Sequence, residues 1–332
     1  MTLPASGQIS LNQVNVELDL SGTAQIDMNS AAVRTLFGVA SGQITMANGY
    51  GKANAFTLTI SSHVTNLNVG TAATAAGWDG SLALIVVVNS GIWVYSNDTN
   101  PAMQINNPCT IKNYGKIAGR GGNGDTQAGS DAIHLGNSCT IENYAGAYIA
   151  GGGAGGGNPG SNGSGGGAGG TNTALNSVGA NGGTNGNAGI AGTGGGAGGG
   201  GYGYQGGTYS GGTPSVGGRI LPGVGGRGGY NPYVGGDTTQ PYVQGAGGNG
   251  GSAGNVGGNS GKAWGQAGVV QYNHGAGGGG WGAAGGLWWN IDLGSPPNGG
   301  VGGGGYAGGK AVNRYGHTLT MINNGTIYGA VS

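Results

Sequence analysis

The sequence predicts a mainly β chain carrying a large region of packed polyglycine-II helices, and three observations predict it. Glycine supplies 89 of the 332 residues. It is concentrated between residues 150 and 310 in runs such as Gly151-Gly152-Gly153-Ala154-Gly155-Gly156-Gly157, separated by short aromatic-bearing inserts. On both sides of that region, short stretches alternate apolar and polar residues as strands do. Helical signals are confined to the opening of the chain, where they suit a small α/β module.

The glycine region needs a physical reason to be ordered. Glycine buries no side chain and loses more backbone entropy on folding than any other residue, so an isolated run is a slack linker. Three-fold helices of polyproline-II type, with about 3.1 Å rise per residue and no internal hydrogen bonds, offset that loss when they lie side by side. Without Cβ atoms they approach closely enough to bond N–H to C=O between neighbours. Composition agrees with an ordered object: charged residues are 6% of the chain and the formal net charge is zero, unlike the charge-rich composition of disordered chains. The 10 prolines and the lack of a strict Gly-X-Y period exclude collagen.

From the N-terminus, three phrases share one pattern: Gly7-Gln8-Ile9-Ser10-Leu11-Asn12, Ala24-Gln25-Ile26-Asp27-Met28-Asn29 and Gly42-Gln43-Ile44-Thr45-Met46-Ala47. Their alternation predicts strands. Asn12 is expected to cap a helix over 13–18, and Asn29 or Ser30 one over 31–37, with Gly38 as its stop. The result is an α/β module over residues 1–55 whose core is too small to stand alone. The Met1 end has no basic start followed by an apolar core, so it does not read as a secretory signal.

Residues 56–150 read as a β stem. Phe56-Thr57-Leu58-Thr59-Ile60 and Val64-Thr65-Asn66-Leu67-Asn68-Val69 are strands, and 82–88 and 92–95 flank the turn Asn89-Ser90-Gly91 as a hairpin. The run 82–88 is too short to cross a bilayer. Beyond Pro101, Cys109-Thr110-Ile111-Lys112-Asn113-Tyr114-Gly115-Lys116-Ile117-Ala118-Gly119 is echoed by Cys139-Thr140-Ile141-Glu142-Asn143-Tyr144-Ala145-Gly146-Ala147-Tyr148-Ile149-Ala150-Gly151. This is the signature of stacked rungs, with Ile and Cys turned inward and the Asn-Tyr-Gly corner bending the strand, as in a parallel β-helix. Cys109 and Cys139 then fall at matching positions as buried thiols rather than a disulfide. A third rung, Leu319-Thr320-Met321-Ile322-Asn323-Asn324-Gly325-Thr326-Ile327-Tyr328, lies in residues 311–332, beyond the glycine region. Rungs stack only on neighbours, so residues 151–310 are an insertion with both ends at the same end of the stem.

The inserts between glycine runs (171–181, 202–222, 230–244, 262–274 and 287–298) hold Tyr202, Tyr204, Tyr209, Tyr230, Tyr233, Tyr242, Trp264, Tyr272, Trp288 and Trp289. A bulky residue inside a glycine lattice would force its helices apart, so these segments are expected as connecting loops. Tyr and Trp among Gly, Ser and Asn give rigid amphipathic contact area and adaptable hydrogen bonds, the chemistry of antibody loops. They read as a binding surface, with Trp288-Trp289 beside Leu287 as its most apolar patch. The alternative is a purely structural role, in which aromatics cover the faces of the glycine body. Trp281 and Tyr306, set within glycine runs, fit that role better.

Glycine runs alternating with variable aromatic segments resemble the receptor-binding adhesins at the tips of bacteriophage tail fibres, in the T-even-like group whose tip is a polyglycine-II sandwich. The resemblance covers residues 150–310. The opening, Ser6-Gly7-Gln8-Ile9-Ser10-Leu11-Asn12-Gln13-Val14-Asn15-Val16-Glu17-Leu18 with Ala32-Val33-Arg34-Thr35-Leu36-Phe37-Gly38-Val39, is similar to the starts of many tailed-phage structural proteins. The resemblance implies a virion protein at the tail or tail fibre tip. Its loops would bind a host outer-membrane protein or surface polysaccharide, and its N-terminal module would dock on other tail or fibre proteins. Both a homo-oligomer, such as a trimer, and a monomeric tip fit it.

Other functions find little support. The ten Lys and Arg residues form no basic stripe, so no nucleic-acid partner is expected. Glycan cleavage would need two carboxylates at a set distance. The glycine region offers only Asp237 and Asp292, and Asp125 and Asp131 read as turn residues. His63, His134, His274 and His317 lack metal-ligand spacing. Gly121-Gly122-Asn123-Gly124-Asp125 occurs once, whereas calcium-binding nonapeptides need stacked copies. Any Gly-x-Gly-x-x-Gly match is meaningless on this background. The expectation is a protein with no enzymatic activity, cofactor or metal. Two functional classes stay open: a host-recognition adhesin, and a structural spike, collar or decoration protein.

Overall fold

A computed structural model describes residues 2–96, 98–122, 128–154, 255–256, 279–285 and 306–332. Three short α-helices and fourteen strands make up its named elements, with one 3-10 turn at Met46–Gly49. No helix among the described residues is long and apolar enough to cross a membrane.

The opening folds around α1 (Leu11–Glu17) and α2 (Ala31–Phe37). Ser10, not Asn12, caps α1. Its hydroxyl accepts from the Gln13 amide at 3.2 Å while Gln13 Oε1 accepts from the Ser10 amide at 2.8 Å, a reciprocal capping box. Ser30 caps α2, and Gly38 closes it in the left-handed region at φ 71°, as read from the sequence. The three strand-like phrases form no strands. Ile9 and Ile44 each precede a cap instead: Ile9 is buried with Val14 and stands before Ser10, Ile44 stands before Thr45 at the start of the 3-10 turn, and Ile26 packs on the same cluster. Ile9 before the cap and Val14 four residues after it form a hydrophobic staple. The expected α/β module is therefore a helical one. At Ser10 and Thr45 the alternation of period two reflects an apolar residue on each side of an N-cap residue. Leu3, Ile9, Val14, Val33, Leu36 and Phe37 form its separate core.

From Ala55 onward the chain visits three sheets in turn. One sheet runs β1 (Ala55–Ile60), β4 (Ala83–Val88), β7 (Cys109–Asn113), β10 (Cys139–Asn143), β13 (Leu319–Asn323). The second holds β2 (Val64–Thr65), β5 (Trp93–Tyr95), β8 (Lys116–Ala118), β11 (Tyr148–Ala150) and β14 (Thr326–Tyr328). The third holds β3 (Leu67–Asn68), β6 (Met103–Ile105), β9 (Ile133–Leu135) and β12 (Val312–Asn313). Every strand pairing among the described residues is parallel. Each successive coil therefore lies on the one before. This corrects the hairpin expected about Asn89-Ser90-Gly91: β4 and β5 lie in different sheets, and the turn is a corner. It also splits the single strand expected over 64–69, because Asn66 bends the chain at φ 48° between β2 and β3. Helix α3 (Val69–Ala75), unforeseen in the sequence, then buries Val69 and Ala73 against the same core.

Register explains the core. Leu58, Val86, Ile111, Ile141 and Met321 fall in one inward column, and Val64, Val94, Ile117, Ile149 and Ile327 in another. Cys109 and Cys139 are free, buried and in register, with sulfurs 3.6 Å apart. The thiol of Cys139 is pushed above its usual range by its bond to Cys109 and by burial, which keeps it protonated and unreactive.

A third inward column changes chemistry along the stack, from Ile60 and Val88 to Asn113, Asn143 and Asn323. Asn113 Nδ2 donates to Asn143 Oδ1 at 2.8 Å, and Asn143 Nδ2 donates to Asn323 Oδ1 at 2.7 Å. Asn113 Oδ1 accepts from the Gly115 amide and so forms the corner. A Cβ on Gly115 would lie 2.5 Å from the Ile92 carbonyl of the preceding coil, so the corner backbones stack only because that position is glycine. Outside the corner, Tyr114 and Tyr144 stack at 4.2 Å. The Tyr144 hydroxyl donates to Glu142, which raises the phenol above its usual range. Asn143→Ala should leave one of the two side-chain N–H groups of Asn113 unpaired, the other still donating to the Tyr148 carbonyl at 3.2 Å, and lower stability by about 2 kcal/mol, read as a drop in urea midpoint. Asn143→Asp, which keeps the acceptor and loses the donor, should lose less at acidic than at neutral pH.

Candidate functional site

The ten aromatic residues expected to carry binding (Tyr202, Tyr204, Tyr209, Tyr230, Tyr233, Tyr242, Trp264, Tyr272, Trp288 and Trp289) lie outside the described residues. The structure describes the base from which the glycine region departs and to which it returns. Both passages occur at one corner of one coil, after β11 and before β12.

At this corner the chain is glycine, and its bonds run between segments that belong to no strand. Gly152 donates to the Ser130 carbonyl at 2.9 Å and accepts from the Gly309 amide at 2.7 Å. The Gly151 carbonyl accepts from Gly282, that of Gly153 from Gly122, and Ala154 exchanges bonds with Ala283 and Gly279. Residues 151–154 are thus bonded to the preceding coil, to the segment 279–285 and to the returning chain. All four are buried. There is no room for side chains: a Cβ on Gly152 would lie 1.8 Å from the Arg120 carbonyl oxygen, and one on Gly309 2.0 Å from that of Ser130.

One large side chain enters this packing. Trp281 is 3% exposed and lies against Ala118 and Ala150 on the outer face of the second sheet. Trp93 meets it edge-on at 6.3 Å and Tyr328 at 6.0 Å. The Lys116 ammonium sits 4.6 Å over the Trp93 ring, a cation–π contact that closes one side. The Trp281 indole nitrogen is buried without a hydrogen-bond partner among the described residues, so its position rests on packing. The sequence suggested Trp281 as a covering residue of a glycine body; here it packs the segment 279–285 against the coils of the second sheet. Tyr306, read the same way, is 37% exposed. The socket itself was missed. Its signal was the repeated Ile-Ala-Gly of Ile117-Ala118-Gly119 and Ile149-Ala150-Gly151, where an outward alanine leaves the space an indole fills.

A second fastening lies at the return. Asp131 Oδ1 accepts from the Lys310 amide and Oδ2 from Asn313 Nδ2, both at 2.8 Å. Its carboxylate is thereby engaged in structure, while Asp125 lies outside the described residues. His63 Nδ1 accepts from the Trp93 amide, and His134 stacks on Tyr315 at 4.1 Å. No group of His, Cys, Asp or Glu able to hold a metal ion occurs among the described residues.

Comparison with known proteins bears on this arrangement. Residues 55–218 match the family described as phage tail fibre adhesin Gp38, beginning at the first residue of β1. Among solved structures, the crystal structure of the gp37-gp38 adhesin tip complex of the bacteriophage S16 long tail fiber is similar at 17% identity. That similarity covers 90% of this chain and 91% of the other with a TM-score of 0.36. No curated protein matches. The similarity to phage tail fibre adhesins of the Gp38 family thus extends over residues 55–218, just under half of the chain.

Proposed function

We propose that the chain is the receptor-binding adhesin of its phage, attaching the virion to a host outer-membrane protein or surface polysaccharide through the aromatic loops between its glycine runs. Residues 151–310 form a polyglycine-II sandwich tip. Residues 56–150 and 311–332 form a β-helical stem, and residues 1–55 attach to other tail or fibre proteins. Binding is reversible, without covalent chemistry.

One observation carries this reading: the lateral bonding of the glycine segments at the base. There, buried amides and carbonyls of residues 151–154 meet neighbours on several sides at distances that exclude any Cβ. This is the bonding required for three-fold glycine helices packed side by side. A body built that way leaves its large residues only the connecting loops, and aromatic loops held by a rigid frame suit recognition. The separate small core of residues 2–54 supports a distinct attachment role.

The test exchanges loops. Replacing 202–222 or 287–298 with the corresponding segments of an adhesin of different host range should change which cells the protein adsorbs to and leave its thermal unfolding unchanged. Adsorption to the original host alone after both exchanges would refute the proposal.

A further inference from the structure

The side of the coil stack carries a trough that the loop reading does not use. Its deeper end, about 580 Å³, is walled by the turn after α3 and the corner before β7. Thr74, Trp78, Asp79, Ser81 and Asn107 line it. A shallower extension of about 340 Å³ shares Ala83 and Pro108 with it and continues past Thr110, Ser138, Thr140, Thr318 and Thr320. Thr110, Thr140 and Thr320 are register partners in successive coils. The trough therefore runs along the stack, advancing about 4.8 Å per coil.

The groups presented there have one chemistry in common. The Trp78 indole N–H is turned inward, donating to the Leu82 carbonyl at 2.9 Å, so the ring offers the trough only carbon surface. Asp79 Oδ1 is occupied by the Ser81 amide and hydroxyl at 2.9 and 2.6 Å, while Oδ2 has no partner among the described residues. Those bonds hold the Asp79 carboxyl below its usual range. The Asn107 amide makes no hydrogen bond with a described residue, and it lies over Gly70, where a Cβ would stand 2.4 Å from its oxygen. Hydroxyls of Thr and Ser supply both donors and acceptors. Among the described residues, Asp79 is the sole charged one lining either part.

We propose that this trough binds a neutral oligosaccharide, with a pyranose ring against Trp78, its hydroxyls bonded to Asp79 and Asn107, and following sugar units along the threonine column. An indole face matches the apolar face of a pyranose, and a carboxylate oxygen, an amide and hydroxyls match a polyol. A lone carboxylate with no cation repels phosphorylated or sialylated sugars. A quaternary ammonium ligand would call for several aromatic faces, and the trough has one. The volume falls within the range of small-molecule sites.

The experiment titrates the full chain with maltohexaose, cellohexaose and chitotetraose, with sialyllactose and choline as charged controls, followed by calorimetry and indole fluorescence. At least one neutral sugar should bind with a dissociation constant of about 1 mM or below. Asp79→Ala and Asn107→Ala alter exposed or half-exposed side chains, so each should keep the native unfolding midpoint and weaken that binding by about tenfold. Trp78→Ala should abolish it, but it also opens the core, so the two polar variants decide the matter. The proposal is overturned if none of the three sugars binds at about 10 mM, if choline or sialyllactose binds in their place, or if both polar variants bind as the native chain does. None of the residues lining the trough belongs to the segments 202–222 and 287–298 exchanged in the other test, so failure here leaves the adhesin reading standing, and failure of the loop exchange leaves this one.

Discussion

Gly152→Ala should lower the stability of the chain by about 3 to 5 kcal/mol, the upper range for a single substitution. The added methyl would lie 1.8 Å from the Arg120 carbonyl oxygen and 2.4 Å from its carbon. Both atoms are backbone, so no rotamer change relieves the contact, and two segments must separate. Separation stretches the bonds from Gly152 to Ser130 and from Gly309 to Gly152, leaving buried amides poorly paired. Gly146→Ala is the informative comparison. Gly146 has φ +83° but nothing within 4 Å of an added Cβ, so alanine there meets only backbone strain of about 1–2 kcal/mol. Thermal unfolding of both variants checks the pair. If Gly152→Ala proves no more damaging than Gly146→Ala, close packing of glycine threads is not what holds the base together.

The coil stack was legible in the sequence wherever its repeat was long enough to be compared with itself. Cys109-Thr110-Ile111 and Cys139-Thr140-Ile141 announced both their stacking and their register, and Leu319-Thr320-Met321 announced that the stack resumes beyond the glycine region. The strands now stand in that order. The second coil reads as a hairpin in the sequence because its corner carries different residues. Val88-Asn89-Ser90-Gly91 looks like a hairpin turn by local chemistry, and only the pairing of β4 with β1 and β7 decides otherwise. Local turn signals do not distinguish a corner from a reversal when the flanking strands are three to six residues long.

The opening shows the opposite failure. Gln-Ile-Ser-Leu, Gln-Ile-Asp-Met and Gln-Ile-Thr-Met alternate as strands do, but each has a short polar residue at its centre. At Ser10 and Thr45 that residue caps a helical turn, and Asp27 accepts from the Asn29 amide just before α2. A capping side chain competes with strand pairing for the same backbone amides, and three phrases spaced through fifty-five residues had no neighbouring strands to pair with. Of the candidate site, the sequence showed where aromatic residues cluster. It did not show how the region is joined to the stem, because that depends on what alanines 118 and 150 leave empty.

Trp281→Ala should weaken that joint most directly, with a loss of about 3–5 kcal/mol for the emptied indole site. Trp93, Ala118, Ala150 and Tyr328 come from four successive coils of the second sheet and meet Trp281 together, so the substitution removes contacts to each of them. Trp281→Phe is the control that separates packing from hydrogen bonding. The indole N–H has no partner among the described residues, so phenylalanine forfeits apolar area but no bond, and it relieves an unsatisfied buried donor; its net loss should stay near about 1 kcal/mol. Ala150→Leu fills the socket from the other side and should destabilise by about 1–3 kcal/mol through overpacking. In a double substitution with Trp281→Ala its effect should shrink, because the leucine then enters the space the indole left. Additive losses in that cycle, measured by thermal or urea unfolding, would mean that residues 150 and 281 do not share the site described here.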